Sequence, residues 1–170
     1  QAKPIFGSLN KIIEESLVLF QTGHKEIEFR FHPENDLPEF AFDPEQIKRV
    51  LTNLLDNSIA ALEQVSTATI DISTQYDKVL KIAKVEVLDN GPGIPEPNRS
   101  RIFEPYFSTK KQGTGLGLAI VKRIIEDHNG FIRMHANSPV GTKMTIELPV
   151  VQTAGIQDAK KFTDVEGAES

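Results

Sequence analysis

Asn53 and Asn57 stand four residues apart in a stretch whose apolar residues recur at helical spacing, so their side-chain amides project together, one turn apart. Neutral amides can offer carbonyl oxygens to Mg²⁺, which takes oxygen ligands and keeps several waters. By itself the pair reads more readily as a polar helix margin, because a two-residue pattern recurs by chance. Further on, Asp89-Asn90-Gly91-Pro92-Gly93-Ile94 follows an apolar alternating segment. Its glycines permit a tight turn and close approach of a ligand to the backbone. An Asp at a strand end can accept a hydrogen bond from an exocyclic amine such as that of adenine, although an ordinary strand exit uses the same residue types.

Two more stretches complete the set. Residues 102–111 place Ile102, Phe103, Tyr106 and Phe107 beside Ser108-Thr109-Lys110-Lys111. Such a segment suits a mobile lid over residues 103–112, with aromatics that dock it and hydroxyl and ammonium groups that reach phosphate. The plainer alternative is a surface loop with a hydrophobic anchor and solvated lysines. Gly113-Thr114-Gly115-Leu116-Gly117-Leu118 then leads into a helix, and glycine at a helix mouth leaves backbone N–H groups aimed at an anion. A dinucleotide fold would need a strand before these glycines, where the polar residues 108–112 stand instead. The Gly-Lys-Ser/Thr ending of a phosphate loop is also absent.

The elements that must hold these residues can be read from periodicity and breakers. Ser8 caps a helix over residues 9–20, and residues 26–31 alternate as a half-buried strand. Asp43 caps a second helix with Pro44 in its first turn, running to about Gln64, with Ile47, Val50, Leu51, Leu54, Ser58 and Leu62 on one face. Strands are expected at 69–74 and 81–88, a helix at 116–128 stopped by Asn129-Gly130, and strands at 131–136 and 143–148. Residues 99–111 read as loop with short helical turns. The pattern fades after Val151, so 151–170 is expected to be a loosely held tail.

The 170 residues suit one domain of ordinary size, with 39% hydrophobic residues for a core. A formal net charge of −5 argues against a general nucleic-acid binder, which would carry a basic face. The absence of cysteine excludes a disulfide framework, a thiol nucleophile and a Cys-type zinc site. No apolar run is long enough to cross a membrane and no leader pattern is visible, so no direct membrane insertion by this segment is expected. The first residue is Gln1, and the expectation is a fragment of a longer chain.

In their order, these four stretches resemble the N, G1, F and G2 boxes of histidine kinase catalytic domains. Gly141-Thr142-Lys143-Met144 resembles the glycine–threonine motif near the adenine pocket of the same family. The resemblance covers residues 9–149, and residues 102–130 are most similar to the nitrogen-regulation sensor kinases of the NtrB and NtrY type. It implies a two-layer α/β sandwich, the Bergerat ATP-binding fold, with a mixed sheet and helices on one face. It implies ATP and Mg²⁺ as cofactors, Asn57 as metal ligand, and Asn53 and Lys110 as catalytic residues near the phosphates. Asp89 would read the adenine amino group, Gly91 and Gly93 would shape the pocket floor, and Thr142 would lie close by. Gly113, Gly115 and Gly117 would form the phosphate-side hinge of the lid, with Thr114, Leu116 and Leu118 as further nucleotide-binding residues. Thr109, Lys111 and Arg49 would be further phosphate contacts, with the sequence not choosing between the two lysines.

The implied activity is transfer of the γ-phosphoryl group of ATP to a histidine on a separate dimerisation domain, which passes it to a response regulator receiver domain. None of His24, His32, His128 and His135 has the context of such an acceptor, so each is read as a packed or solvated side chain. Residues 1–7 are expected to be the frayed end of the dimerisation domain, and 8–150 the catalytic domain. The expected location is cytoplasmic, as part of an inner-membrane receptor. The alternative is an ATPase or ATP-binding switch of the same superfamily. Position 53 discriminates: those hydrolases carry a Glu there to activate water, and Asn53 cannot act as a base near neutral pH.

Overall fold

The computed structural model describes residues 1–107 and 116–152. Its elements in chain order are β1 (Ile5–Gly7), α1 (Leu9–Gly23), β2 (Glu28–His32), β3 (Phe40–Phe42), α2 (Pro44–Ala61), β4 (Thr69–Asp77), β5 (Ile82–Asp89), α3 (Glu96–Arg99), α4 (Gly117–Asp127), β6 (Phe131–Ala136) and β7 (Thr142–Pro149). Five strands form one sheet in the order β2-β4-β5-β7-β6, parallel only between β2 and β4. The mixed sheet and the helices agree with the expected α/β sandwich.

Alternation decides which face the helices cover. Ala83, Val85 and Val87 of β5 are buried, as are their cross-strand partners Ile72 on β4 and Met144, Ile146 and Leu148 on β7. The intervening Lys84 and Glu86 lie on the opposite, more solvated face. Against the buried face pack Leu9, Ile13 and Leu17 of α1, the Ile47, Val50, Leu51, Leu54 and Ser58 row of α2, and Val121, Ile124 and Ile125 of α4. The helices thus present one apolar stripe each to one apolar sheet face.

The helix starts follow from their caps. Ser8 Oγ accepts from the Lys11 N–H at 3.2 Å. Asp43 Oδ1 accepts from the N–H groups of Glu45 (3.1 Å) and Gln46 (3.2 Å), and Asp43 Oδ2 accepts from the Lys3 N–H at 2.8 Å. Some ends differ from expectation. Helix α1 continues to Gly23, where the His24 N–H closes on the Phe20 carbonyl at 3.0 Å. Helix α2 stops at Ala61 because the Leu62 and Val65 N–H groups bond three residues back. Strand β2 starts two residues late because the Ile27 N–H turns back to His24. Strand β4 continues to Asp77, whose Oδ1 accepts from Val79 and Leu80 and makes the turn.

Residues 1–7 contain β1, which pairs antiparallel with β3 in a separate two-stranded sheet. Phe40 and Phe42 anchor this ribbon in the core, their ring centroids 5.1 Å apart. The short helix α3 was not expected. The tail 153–170 lies outside the described residues. No helix among the described residues is long and apolar enough to cross a membrane.

Asp43 offers a test of this ordering. Burial raises its pKa, but the N–H groups of Lys3, Gln46 and Glu45 outweigh that effect and hold it below the ordinary 3.8. A depressed carboxyl contributes stability above its unfolded pKa and loses it as pH falls through the folded value. Asp43→Ala is therefore expected to cost about 1–2 kcal/mol near neutral pH by urea denaturation. The gap from the parent should narrow as the pH falls below the ordinary carboxyl value of 3.8 and through the lower folded one; a gap that stays constant while the carboxyl takes up its proton would contradict the account.

Candidate functional site

Asp89 continues the buried row of β5. Residues 83, 85 and 87 face the helices, so the next residue on that side is a carboxylate, 5% exposed, at the end of the strand. Its Oδ1 accepts from the Gly91 N–H at 3.0 Å and the Thr142 N–H at 3.3 Å. The cross-strand register pairs Asp89 with Thr142, itself buried, which accounts for that contact. Asp89 is thus fixed by backbone donors from its own turn and from β7.

The glycines around it are set by close approach. A Cβ on Gly91 would lie 3.0 Å from the Ala61 carbonyl oxygen and 3.1 Å from Asp89 Oδ1. Gly93 has φ +81 and packs against the Gly141 backbone, and Gly141 has φ +114 with its Cα laid on the Asp89 carbonyl, where a Cβ would overlap. Both positive φ values lie in the region that glycine adopts without strain. Asn90 ties the turn to the sheet: its Oδ1 accepts from the Thr69 N–H (2.8 Å) and its Nδ2 donates to the Thr67 carbonyl (2.7 Å). A hollow beside this turn is lined by Ala60, Ala61, Gln64, Asn90, Gly91 and Val140. A separate hollow between α1 and the β1–β3 ribbon, lined by Ile5, Ile12 and Phe42 among others, contains none of the candidate residues.

Asn53 and Asn57 lie half-buried on α2. Asn53 meets the start of α4: a Cβ on Gly117 would lie 3.9 Å from Asn53 Oδ1. The structure therefore brings the expected metal-side helix against the helix that follows the glycine repeat. Leu116 precedes that helix in an αR conformation, and the Ile120 N–H bonds its carbonyl at 2.9 Å. Leu118 packs on the core. Arg49 is exposed, one turn before Asn53. Thr109, Lys110, Lys111, Gly113, Thr114 and Gly115 lie outside the described residues.

The described part of the expected lid is partly docked. Ile102 is buried, and Phe103 and Phe107 pack against the core. The Arg101 guanidinium sits over the Phe107 ring at 4.7 Å. Tyr106 is not a docking group; it is 78% exposed with φ +64.

The histidines lie in packed or solvated places, His24 stacked on Phe20 with ring centroids 6.4 Å apart. His128 is packed between helices: its Nδ1 proton reaches the Ile124 carbonyl at 2.8 Å and its Nε2 accepts from the Asp43 N–H at 3.0 Å. His32 lies 3.2 Å from Asp71 on the solvated sheet face, and His135 is exposed. One contact was not foreseen. Asn137, in the loop after β6, donates from Nδ2 to the Asp89 carbonyl at 2.9 Å. The only local signal was a turn-forming Asn-Ser-Pro stretch, which gives no hint of a partner so far away in sequence.

Comparison with known proteins agrees with this arrangement. The family model described as "Histidine kinase-, DNA gyrase B-, and HSP90-like ATPase" matches residues 42–152. Sensor histidine kinase ZraS of Escherichia coli K12 is 39% identical over 144 residues, 84% of this chain and 30% of that protein. Nitrogen regulation protein NtrY of Azorhizobium caulinodans is 34% identical over 151 residues, 86% of this chain and 19% of that protein. The chain thus spans under a third of the length of these relatives. The catalytic domain of histidine kinase ThkA superposes with TM-score 0.78 at 36% identity, covering 88% of this chain and 99% of that domain. ThkA has also been solved in complex with the response regulator protein TrrA, and there the match has TM-score 0.73 at 32% identity, covering 88% of this chain and 42% of that one. With a family match over most of its length and a near-complete match to such a domain, this chain belongs to the histidine kinase-, DNA gyrase B-, and HSP90-like ATPase family, as a catalytic domain of the sensor histidine kinase type.

Proposed function

We propose that this domain binds Mg-ATP against α2, the Asp89 turn and the start of α4, and donates the γ-phosphoryl group to a histidine on a separate dimerisation domain. A response regulator receiver domain then takes the phosphoryl group. The whole acts as the cytoplasmic part of a two-component receptor. The observation that carries this reading is the pairing of a buried, backbone-held carboxylate at position 89 with an amide, not a carboxylate, at position 53 beside Gly117. Asp89 suits recognition of an exocyclic amine. Asn53 can orient a phosphate but cannot deprotonate water. Phosphoryl transfer relies mainly on positioning and electrostatics, which such a site supplies when the acceptor comes from outside.

The donor set fits a nucleotide-borne Mg²⁺. Among the described residues no cluster of three or more His, Cys, Asp or Glu side chains could hold a metal by itself. A single amide oxygen from Asn57 suits an ion held otherwise by phosphate oxygens and water. Arg49, Thr109, Lys110, Lys111 and the residues from Gly113 to Leu118 are assigned to the phosphate side, with Lys110 beside the transferred group.

The experiment is a thermal melt with ATP, with and without Mg²⁺. At about 100 times the dissociation constant, ATP should stabilise by roughly 2.7 kcal/mol, a rise of roughly 5–11 °C for a domain of this size. Asn57→Ala should lose most of the Mg²⁺-dependent part. A variant with the parent's full Mg²⁺-dependent shift would remove Asn57 from the metal site.

A further inference from the structure

We propose that Asn137 is a positioning residue for base recognition: its amide holds the Asp89 peptide, and through it the angle at which the Asp89 carboxylate meets the base. This rests on the reading of Asp89 as the contact to the adenine amino group. Asp89 is the last residue of β5, and its carbonyl points toward the loop that joins β6 to β7. Asn137 Nδ2 donates to that carbonyl at 2.9 Å. The other groups of Asn137 are used to hold the residue still. Its backbone N–H donates to the Gly141 carbonyl at 2.9 Å, and its Oδ1 accepts from the Ser138 N–H at 2.9 Å. The donor therefore sits on a closed loop and has one orientation.

The same loop approaches Asp89 a second time. Gly141, at φ +114, lies on the Asp89 carbonyl with no room for a side chain. The next residue, Thr142, donates its N–H to Asp89 Oδ1. Asn137 and Gly141 of this loop and Thr142 at the start of β7 thus grip the main chain and the carboxylate of one residue. A carboxylate held through Oδ1 by two N–H groups cannot rotate independently of its backbone. Its direction toward a ligand then follows the tilt of the peptide that Asn137 fixes. Removing the Nδ2 donor leaves the fold's apolar packing untouched and frees that tilt. The cost should therefore fall on the contact between Asp89 and the base, not on nucleotide binding as a whole.

The test measures dissociation constants of the full chain for ATP and for purine riboside triphosphate, which lacks the 6-amino group. Parent, Asn137→Ala and Asn137→Asp are compared, with melting temperatures without nucleotide as a fold check. Asn137→Asp keeps the acceptor for the Ser138 N–H but replaces the donor by a charged acceptor facing the Asp89 carbonyl, so it should disturb that peptide at least as much as alanine does while retaining the loop's own bond. In both variants ATP should bind about 3- to 10-fold more weakly, while purine riboside triphosphate changes less than about 2-fold, so the preference shrinks. An equal loss for both nucleotides, or an unchanged preference, would assign Asn137 a purely structural role and overturn the proposal. No preference for ATP in the parent would instead sink the adenine reading of Asp89, and this inference with it.

Discussion

Replacing Asp89 by Asn should weaken ATP binding about 10- to 150-fold while leaving the fold nearly as stable, the range expected for loss of a hydrogen bond to a charged group. The change is close to isosteric, and the amide oxygen can still accept from the N–H groups of Gly91 and Thr142 that Oδ1 now serves. What changes is the side offered to the ligand. An amide NH₂ cannot accept from the adenine amino group, and two donors then face each other. Asp89→Ala separates the two roles. It leaves the Gly91 and Thr142 N–H groups without their acceptor in a buried place, which costs about 1–3 kcal/mol for each group. Calorimetric titration with ATP, beside melts of both variants, checks the pair. An Asp89→Asn variant that binds ATP like the parent would mean that the carboxylate is structural only.

Much of this site was legible because its parts are local. The Asp43-Pro44 start of α2, the one-turn spacing of Asn53 and Asn57, and the turn glycines each follow from a few neighbouring residues. The burial of Asp89 was also within reach. The alternation of Ala83, Val85 and Val87 continues to position 89, but the strand was expected to end one residue earlier, which made Asp89 a turn residue. What escaped depends on partners distant in the chain. Strands β1 and β3 have three residues each, too few for any periodicity, and exist because they pair with each other. Asn137 and Asp89 are 48 residues apart, and His128 and the Asp43 N–H are 85 apart. A side chain that bonds a remote backbone atom leaves no trace in local pattern. Gly141 was legible only as part of a motif; its reason, the overlap that a Cβ would make with Asp89, needs the sheet register.

The central claim is that this domain hands a phosphoryl group to an external histidine and spares water. On the proposed reading Asn53, which lies close to Gly117, stands where the related hydrolases would carry a Glu base. General-base assistance contributes typically about 10² to 10⁴ in rate, so its absence should make ATP turnover by the isolated chain very slow without weakening ATP binding. Affinity and turnover should come apart, because the Asp89 contacts are independent of position 53. On the same reading the acceptor histidine lies on the separate dimerisation domain. His128 is occupied between helices, and His24, His32 and His135 have no acceptor context.

The most direct measurement is incubation with γ-labelled ATP and Mg²⁺, following free phosphate and protein-bound label together. It is run with the chain alone and with a histidine-bearing dimerisation domain from a sensor kinase added in trans. The account predicts bound nucleotide, little released phosphate and no label on the chain alone, with label on the added domain when the two are mixed. Release of phosphate by the chain alone at several turnovers per minute, or stable label on one of its own four histidines, would contradict it.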